Sequence, residues 1–176
     1  MKKVCGWCKK TLFSEKESIT QTVTHGICKK CLFHFRAQEG MSFLDYLNGL
    51  EVPIAVIDSD SRVQSATKSL ENILGKTDPQ IIGKLGGEVF ECEYSYLPEG
   101  CGKTIHCNAC TIRFAVMETF LNGRSQRSIP VYLNQKGSSR VKSLNLVIST
   151  EKVDDVVLLR IENIEEVRKV ETSPDL

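Results

Sequence analysis

The sequence predicts an α+β protein: a five-stranded antiparallel sheet with helices on one side, joined to a small N-terminal module. Three observations predict it. Two Cys-x2-Cys pairs, Cys5–Cys8 and Cys28–Cys31, stand close together in the first forty residues. Stretches of apolar–polar alternation mark strands in the last fifty residues, and a further strand pair opens at about residue 52. Helical signals cluster between them.

The chain has 176 residues, enough for one ordinary domain and a small attachment. Charge is balanced, 23 basic against 22 acidic residues, which argues against a nucleic-acid binder overall. The first forty residues carry eight Lys/Arg and three Glu, so a basic head precedes a mildly acidic body. No apolar run follows the lysines of M-K-K-V-C-G-W-C, and no stretch approaches the roughly 20 apolar residues of a membrane span. The expected location is the cytoplasm, where thiols stay reduced. Eight cysteines there point to metal or redox chemistry, not to a disulfide framework.

Residues 1–40 are expected to form a zinc-ribbon or treble-clef-like module with zinc on Cys5, Cys8, Cys28 and Cys31. The pairs have the spacing at which two tight turns aim four sulfurs at one ion. A segment this short cannot bury an adequate core, so metal binding supplies its folding free energy. Within it Ile19–Thr24 reads as a strand and Lys29–Gln38 as a helix. Residues 41–50 form a linker helix, with Phe43, Leu44 and Leu47 on one face.

In the body, Val52–Asp58 and Arg62–Ala66 read as strands around the turn Ser59–Ser61. Lys68–Leu74 reads as a helix stopped by Gly75, and Pro79–Lys84 as a shorter one broken by Gly86-Gly87. A helix over 109–121 follows, ended by Asn122-Gly123. Ser128–Asn134, Val141–Ser149 and Val156–Ile161 complete the strands. Ile129, Val131 and Leu133 share one face, as do Leu144, Leu146 and Ile148. Asn163–Val170 reads as the start of an output helix, and 166–176 as a tail.

The stretch from Cys92 to Cys110 carries the second cysteine set: Cys92, Cys101, Cys107 and Cys110. Four thiolates satisfy one tetrahedral zinc or one iron–sulfur cluster, and both remain open, because C-x8-C-x5-C-x2-C is a standard spacing of neither. Asn108 is expected as a helix N-cap, placing Cys110 in the first turn, where helix polarity favours thiolate. His106 is a possible substitute ligand, more naturally a neighbour of the site. Covalent c-type haem does not fit, since Lys9, Leu32 and Thr111, not histidines, follow the Cys-x2-Cys pairs.

Residues 51–165 resemble a PAS domain. The residues that carry the resemblance are V-P-I-A-V-I-D-S-D-S-R-V, N-I-L-G, I-I-G-K and the closing V-L-L-R-I-E-N-I-E-E-V, in that order. The head, H-G-I-C-K-K-C over His25–Cys31, is similar to knuckle segments of some bacterial PAS-containing sensors. F-E-C with G-C-G-K-T-I-H-C-N-A-C-T-I-R resembles a PAS subgroup with a cysteine-bearing insertion. The resemblance implies a non-catalytic sensor that answers a small-molecule, redox or metal signal and passes it to a signalling or regulatory partner protein; such folds often form homodimers. Two other functions fit the residues. One is a zinc-stabilised adaptor whose basic head binds an acidic partner or nucleic acid. The other is an iron–sulfur electron carrier. No P-loop, dinucleotide fingerprint, G-x-S-x-G or H-E-x-x-H occurs.

Overall fold

The computed structural model describes residues 2–6, 8–14, 23–28, 31, 42–136 and 141–167. The chain divides into two compact units, Met1–Gly49 and Leu50–Leu176. All of the expected helix Lys29–Gln38 but Cys31, most of the expected strand Ile19–Thr24 and most of the tail from 166 lie outside the described residues.

In the first unit, β1 (Lys2–Cys5) pairs antiparallel with β2 (Thr11–Ser14) and parallel with β3 (Val23–Gly26). The parallel pairing carries Cys5 opposite Gly26. α1 (Phe43–Asn48) starts at Ser42, whose hydroxyl accepts from the Asp45 N–H while the Asp45 carboxylate accepts from the Ser42 N–H. That reciprocal cap satisfies two donors left over at any helix start.

The second unit is a five-stranded sheet in the order β5-β4-β8-β7-β6, antiparallel at every pairing. Its strands are β4 (Ile54–Ile57), β5 (Val63–Ala66), β6 (Gln126–Lys136), β7 (Val141–Val153) and β8 (Val156–Val167). The first strand therefore pairs with the last, and the helices fall between β5 and β6. This is the PAS-like arrangement. Asp58 tightens the β4–β5 turn by accepting from the N–H groups of Asp60 and Arg62, both at 2.9 Å. Ser61 takes the left-handed conformation that the turn requires.

α2 (Lys68–Leu74) runs between two clear signals. Thr67 caps its start, its buried hydroxyl donating to the Val52 carbonyl and accepting from the Ile54 and Leu70 N–H groups. Gly75 ends it at φ 62°, a conformation that costs glycine nothing. α3 (Asp78–Ile81), α4 (Gly86–Val89), two 3-10 turns at Glu93–Tyr96 and Ile105–Ala109, and α5 (Thr111–Asn122) follow.

The core lies between these helices and one face of the sheet. Ile81, Val89, Phe90, Ile112, Ala115 and Val116 from the helical side meet Ala55, Val131, Leu146, Ile148, Val157 and Leu159 from the strands. Burying each of the larger side chains contributes about 1.5–3 kcal/mol. Below the helix, Thr119 and Thr150 join α5 to β7 through hydroxyls 2.6 Å apart.

Three expectations are corrected. Residues 163–167 are strand, not helix: Asn163 pairs with Val147, Ile164 with Leu146 and Val167 with Ser143. The register steps between Val147 and Ile148, so Glu162 is an extra residue on β8. That bulge returns Ile164 to the same face as Ile161, and the three-residue spacing imitates a helix. Gly86-Gly87 opens α4 instead of breaking a helix. Asn108 lies within the second 3-10 turn, and Cys110 is the N-cap of α5, without a side-chain cap bond.

Candidate metal centres

The head set is built by the strands. β1 ends in Cys5, whose N–H donates to the Lys10 carbonyl (2.7 Å) and whose carbonyl accepts from Lys9 (2.9 Å). This folds the chain back so that Cys5 and Cys8 present sulfurs to one side. The Gly6 N–H reaches the Gly26 carbonyl at 2.8 Å, tying the first knuckle to the end of β3, just before Cys28. A side chain at Gly26 would begin 2.5 Å from the Lys3 side chain and 3.3 Å from Leu12, so glycine permits the approach.

The four sulfurs of Cys5, Cys8, Cys28 and Cys31 all lie within 4.8 Å of one another, and this set could hold a metal ion. Zinc–sulfur bonds of about 2.3 Å in a regular tetrahedron separate sulfurs by about 3.8 Å. Cys8 Sγ and Cys28 Sγ are 3.7 Å apart. The Cys28 N–H donates to Cys5 Sγ and the Cys31 N–H to Cys28 Sγ, each at 3.4 Å. The latter bond holds the Cys28 thiol below its ordinary range. Burial, reinforced by the neighbouring sulfurs of Cys28, Cys8 and Cys5, pushes Cys31 up to about 12. A metal ion bound by these sulfurs would displace their protons. The side chain of His25 lies outside the described residues.

The second set is arranged differently. Cys92 precedes the first 3-10 turn, Cys101 sits in the loop after it, Cys107 lies in the second turn and Cys110 caps α5. Among the described residues, only the head set gathers potential ligand atoms closely enough to hold a metal ion.

The Ser95 N–H donates to the Cys92 carbonyl at 2.9 Å, and two polar groups reach the sulfur of Cys107. Cys107 Sγ accepts from the Gly102 N–H at 3.2 Å and contacts the Thr104 hydroxyl at 3.2 Å. Burial raises the thiols of Cys92 and Cys101 above their ordinary range. At Cys107 burial pushes the same way, but the Thr104 hydroxyl, the Gly102 and Thr104 N–H groups and the Arg113 guanidinium outweigh it. Arg113 is positioned by donating to the Gly102 carbonyl at 2.9 Å.

Gly87, Thr104 and Arg113 were not singled out from sequence. The signal for Gly87 was present as the Gly-Gly pair before the first cysteine, but its use is spatial. A Cβ there would stand 2.6 Å from Cys101 Sγ and 3.5 Å from the Cys92 Cβ. His106 is exposed and stacks on Tyr94, with ring centroids 4.0 Å apart and planes 10° from parallel. The segment is also tied to the sheet. Cys92 pairs with Gln135, the Lys136 N–H donates to the Glu91 carbonyl at 2.8 Å, and Asn134 Nδ2 donates to Glu93 at 2.7 Å.

Comparison with solved structures returns PAS domains. The chain is similar to the PAS domain of a Desulfitobacterium hafniense protein at 18% identity, over 70% of this chain and 99% of that one, with TM-score 0.39. It is similar to the PAS domain of nitrogen regulation protein NR(II) from Vibrio parahaemolyticus at 13% identity, over 70% and 99%, with TM-score 0.45. A third is the photoactive yellow protein domain of the sensor histidine kinase Ppr from Rhodospirillum centenum: 12% identity, 77% and 100% covered, TM-score 0.44. No protein-family model matches the chain, and no curated protein matches it. Among the described residues no helix is long and apolar enough to cross a membrane.

Proposed function

We propose that the chain is a sensory and signalling module rather than an enzyme: a PAS-like unit that senses through metal bound at Cys92, Cys101, Cys107 and Cys110, behind a head whose zinc on Cys5, Cys8, Cys28 and Cys31 is structural. The domains are then 1–40, a linker helix over 41–50, the sensor over 51–165 and a tail. The observation that carries the reading is the polar support given to Cys107 Sγ by the Gly102 N–H and the Thr104 hydroxyl, in a four-cysteine segment pinned to β6. Such donors stabilise thiolates and tune whatever the thiolates bind. Four thiolates brought together would need a cation to hold them ionised.

The same segment offers a route outward. A change in the position of Cys92 acts on Gln135, and Glu91 carries it to Lys136. A sensor needs two states that bind the signal with different affinity. The output then passes by non-covalent contact to a separate signalling partner in the cytoplasm, from a monomer or a homodimer.

Hydrogen exchange on the full chain tests this. With the second set loaded, the amides of Asn134–Lys136 and of the 92–110 segment exchange more slowly than in a Cys101→Ser/Cys107→Ser variant, while β4 is unchanged. Identical exchange at Asn134–Lys136 in the two proteins would refute the proposal.

A further inference from the structure

We infer that the head is also an oxidation site, at which a peroxide joins Cys8 to Cys28 in a disulfide and expels the zinc ion. This goes beyond the structural role given to that ion and rests on the reading that the head holds it. The four head sulfurs lie within 4.8 Å of one another, so proximity alone allows any two to join. Exposure separates them. Cys5 is fully buried and Cys31 is 7% exposed, whereas Cys8 is exposed and Cys28 half-buried. The set thus has two inner sulfurs and two outer ones, and an oxidant arriving from water meets Cys8 first. Cys28 Sγ stands 3.7 Å from Cys8 Sγ, so a bond of about 2.05 Å forms once the two close by less than about 2 Å.

The backbone keeps the two roles apart. Cys5 ends β1, paired with Gly26 of β3, and its sulfur accepts from the Cys28 N–H at 3.4 Å. Cys8 lies in the turn between β1 and β2, outside the ladder that fixes Cys5. Peroxide oxidises the Cys8 thiolate first: the O–O bond breaks, one oxygen becomes the sulfenic acid of Cys8 and the other leaves as hydroxide. The Cys28 thiolate then attacks the Cys8 sulfur. The S–S bond forms, the S–O bond breaks and a second hydroxide leaves. Two electrons pass from the two sulfurs to the peroxide, and two protons from solvent turn the hydroxides into water. Zinc departs as Zn2+, since only Cys5 and Cys31 still hold it.

The new bond crosses between the knuckles, joining residues 20 positions apart, and so replaces the link that the ion supplies. β1 therefore stays beside β3 in the oxidised, zinc-free head, with Cys5 opposite Gly26. A disulfide within either Cys-x2-Cys pair would leave the knuckles untied. Oxidation and chelation thus remove the same ion but end in different states.

The test uses the full chain, purified without oxygen and loaded with zinc, its zinc content measured beside that of Cys5→Ala before any oxidant is added. Hydrogen peroxide is then supplied with a chromogenic zinc chelator present, free thiols are blocked and the protein is digested. Cleavage after Trp7 and after Lys29 and Lys30 puts each head cysteine on its own peptide. The wild type is expected to hold about one zinc more than Cys5→Ala and to release it to peroxide. A peptide joining Cys8 to Cys28 accompanies the release, while Cys5 and Cys31 are recovered as thiols. Amide exchange at Lys3–Cys5 in the oxidised protein stays slower than in reduced protein stripped by a chelator.

Zinc retained in peroxide with the head thiols intact, or a different pair as the main joined product, would overturn the inference while leaving the zinc-held head standing. Exchange at Lys3–Cys5 as fast as in the chelated protein would overturn the link between the knuckles. Equal zinc in the wild type and Cys5→Ala before oxidant would overturn both readings, because the head would then hold none.

Discussion

The hydroxyl pair of Thr119 and Thr150 gives a prediction with an asymmetry worked from proton counting. Thr119 is fully buried and Thr150 is 2% exposed. Thr119 Oγ1 donates to the Arg124 carbonyl at 3.1 Å, just beyond the left-handed Gly123 that ends α5. A hydroxyl has a single proton, so across the 2.6 Å contact Thr150 must donate and Thr119 accept. Thr119→Val therefore strands one buried group, the Thr150 proton, and leaves the carbonyl of exposed Arg124 to water, at a cost of about 2–3 kcal/mol. Thr150→Val removes one bond but leaves Thr119 donating to Arg124, and costs about 1 kcal/mol. In the double variant no buried group is stranded, so its cost does not exceed that of Thr119→Val alone, and the cycle shows coupling of about 1 kcal/mol. Urea unfolding followed by far-UV circular dichroism, at fixed metal loading, measures all four proteins. Equal costs for the two single variants, or simple additivity, would refute the donor assignment.

Other expectations follow from the same reasoning. Chelation should unfold the head alone: the single tryptophan, Trp7, lies between Cys5 and Cys8 in sequence, so its emission shifts while the dichroism of the sheet is retained, and an unchanged emission would count against metal-held folding. The Lys76 side chain, 10% exposed, donates to the Val89 carbonyl at 2.6 Å and pairs with Glu91 at 3.1 Å. Lys76→Met should cost about 1–3 kcal/mol in urea unfolding, because a helix-end carbonyl loses its partner. Burial raises the Glu162 carboxyl, but bonds from Ser149, Arg160 and Ser128 outweigh it and hold the group below its ordinary range. Its contribution is thus present above the unfolded value of about 4.3 and is lost as pH falls through the folded one. Glu162→Gln should flatten the acid limb of stability against pH, and an unchanged limb would remove Glu162 from that role.

The strands and caps were legible where one local rule sufficed. Lys68–Leu74 was readable to the residue because Thr67 and Gly75 mark both ends chemically. The continuous apolar run I-A-V-I became β4, with all four residues buried. The head cysteines were readable because Cys-x2-Cys encodes its own geometry. The misreadings share a cause, which is that one residue type served a long-range purpose. Gly87 is glycine because Cys101, fourteen residues on, occupies its side-chain space. Glu162 interrupts the alternation of β8 because a bulge draws it to Ser128, Ser149 and Arg160. Cys110 displaces Asn108 as the helix start because the 3-10 turn, closed by the Cys107 N–H to Thr104 carbonyl bond, claims Asn108 first. Each requires knowing which distant atoms arrive, and no local pattern carries that information.

The pairing of β4 with β8 bears on the order in which the molecule is made. Ile54–Ile57 waits for Val157–Arg160 as its neighbour, so the sheet closes only after nearly the whole chain has been synthesised. The four thiols of the second set are made well before that. At ~5–20 residues per second, the ribosome takes roughly 1–5 s to travel from Cys110 to Lys136, and during that interval Cys92 has no β6 to hold it. On the proposed reading of Cys92–Cys110 as a metal site, delivery of metal would compete in time with closure of the sheet, and a chain whose sheet closed first would keep its thiols empty.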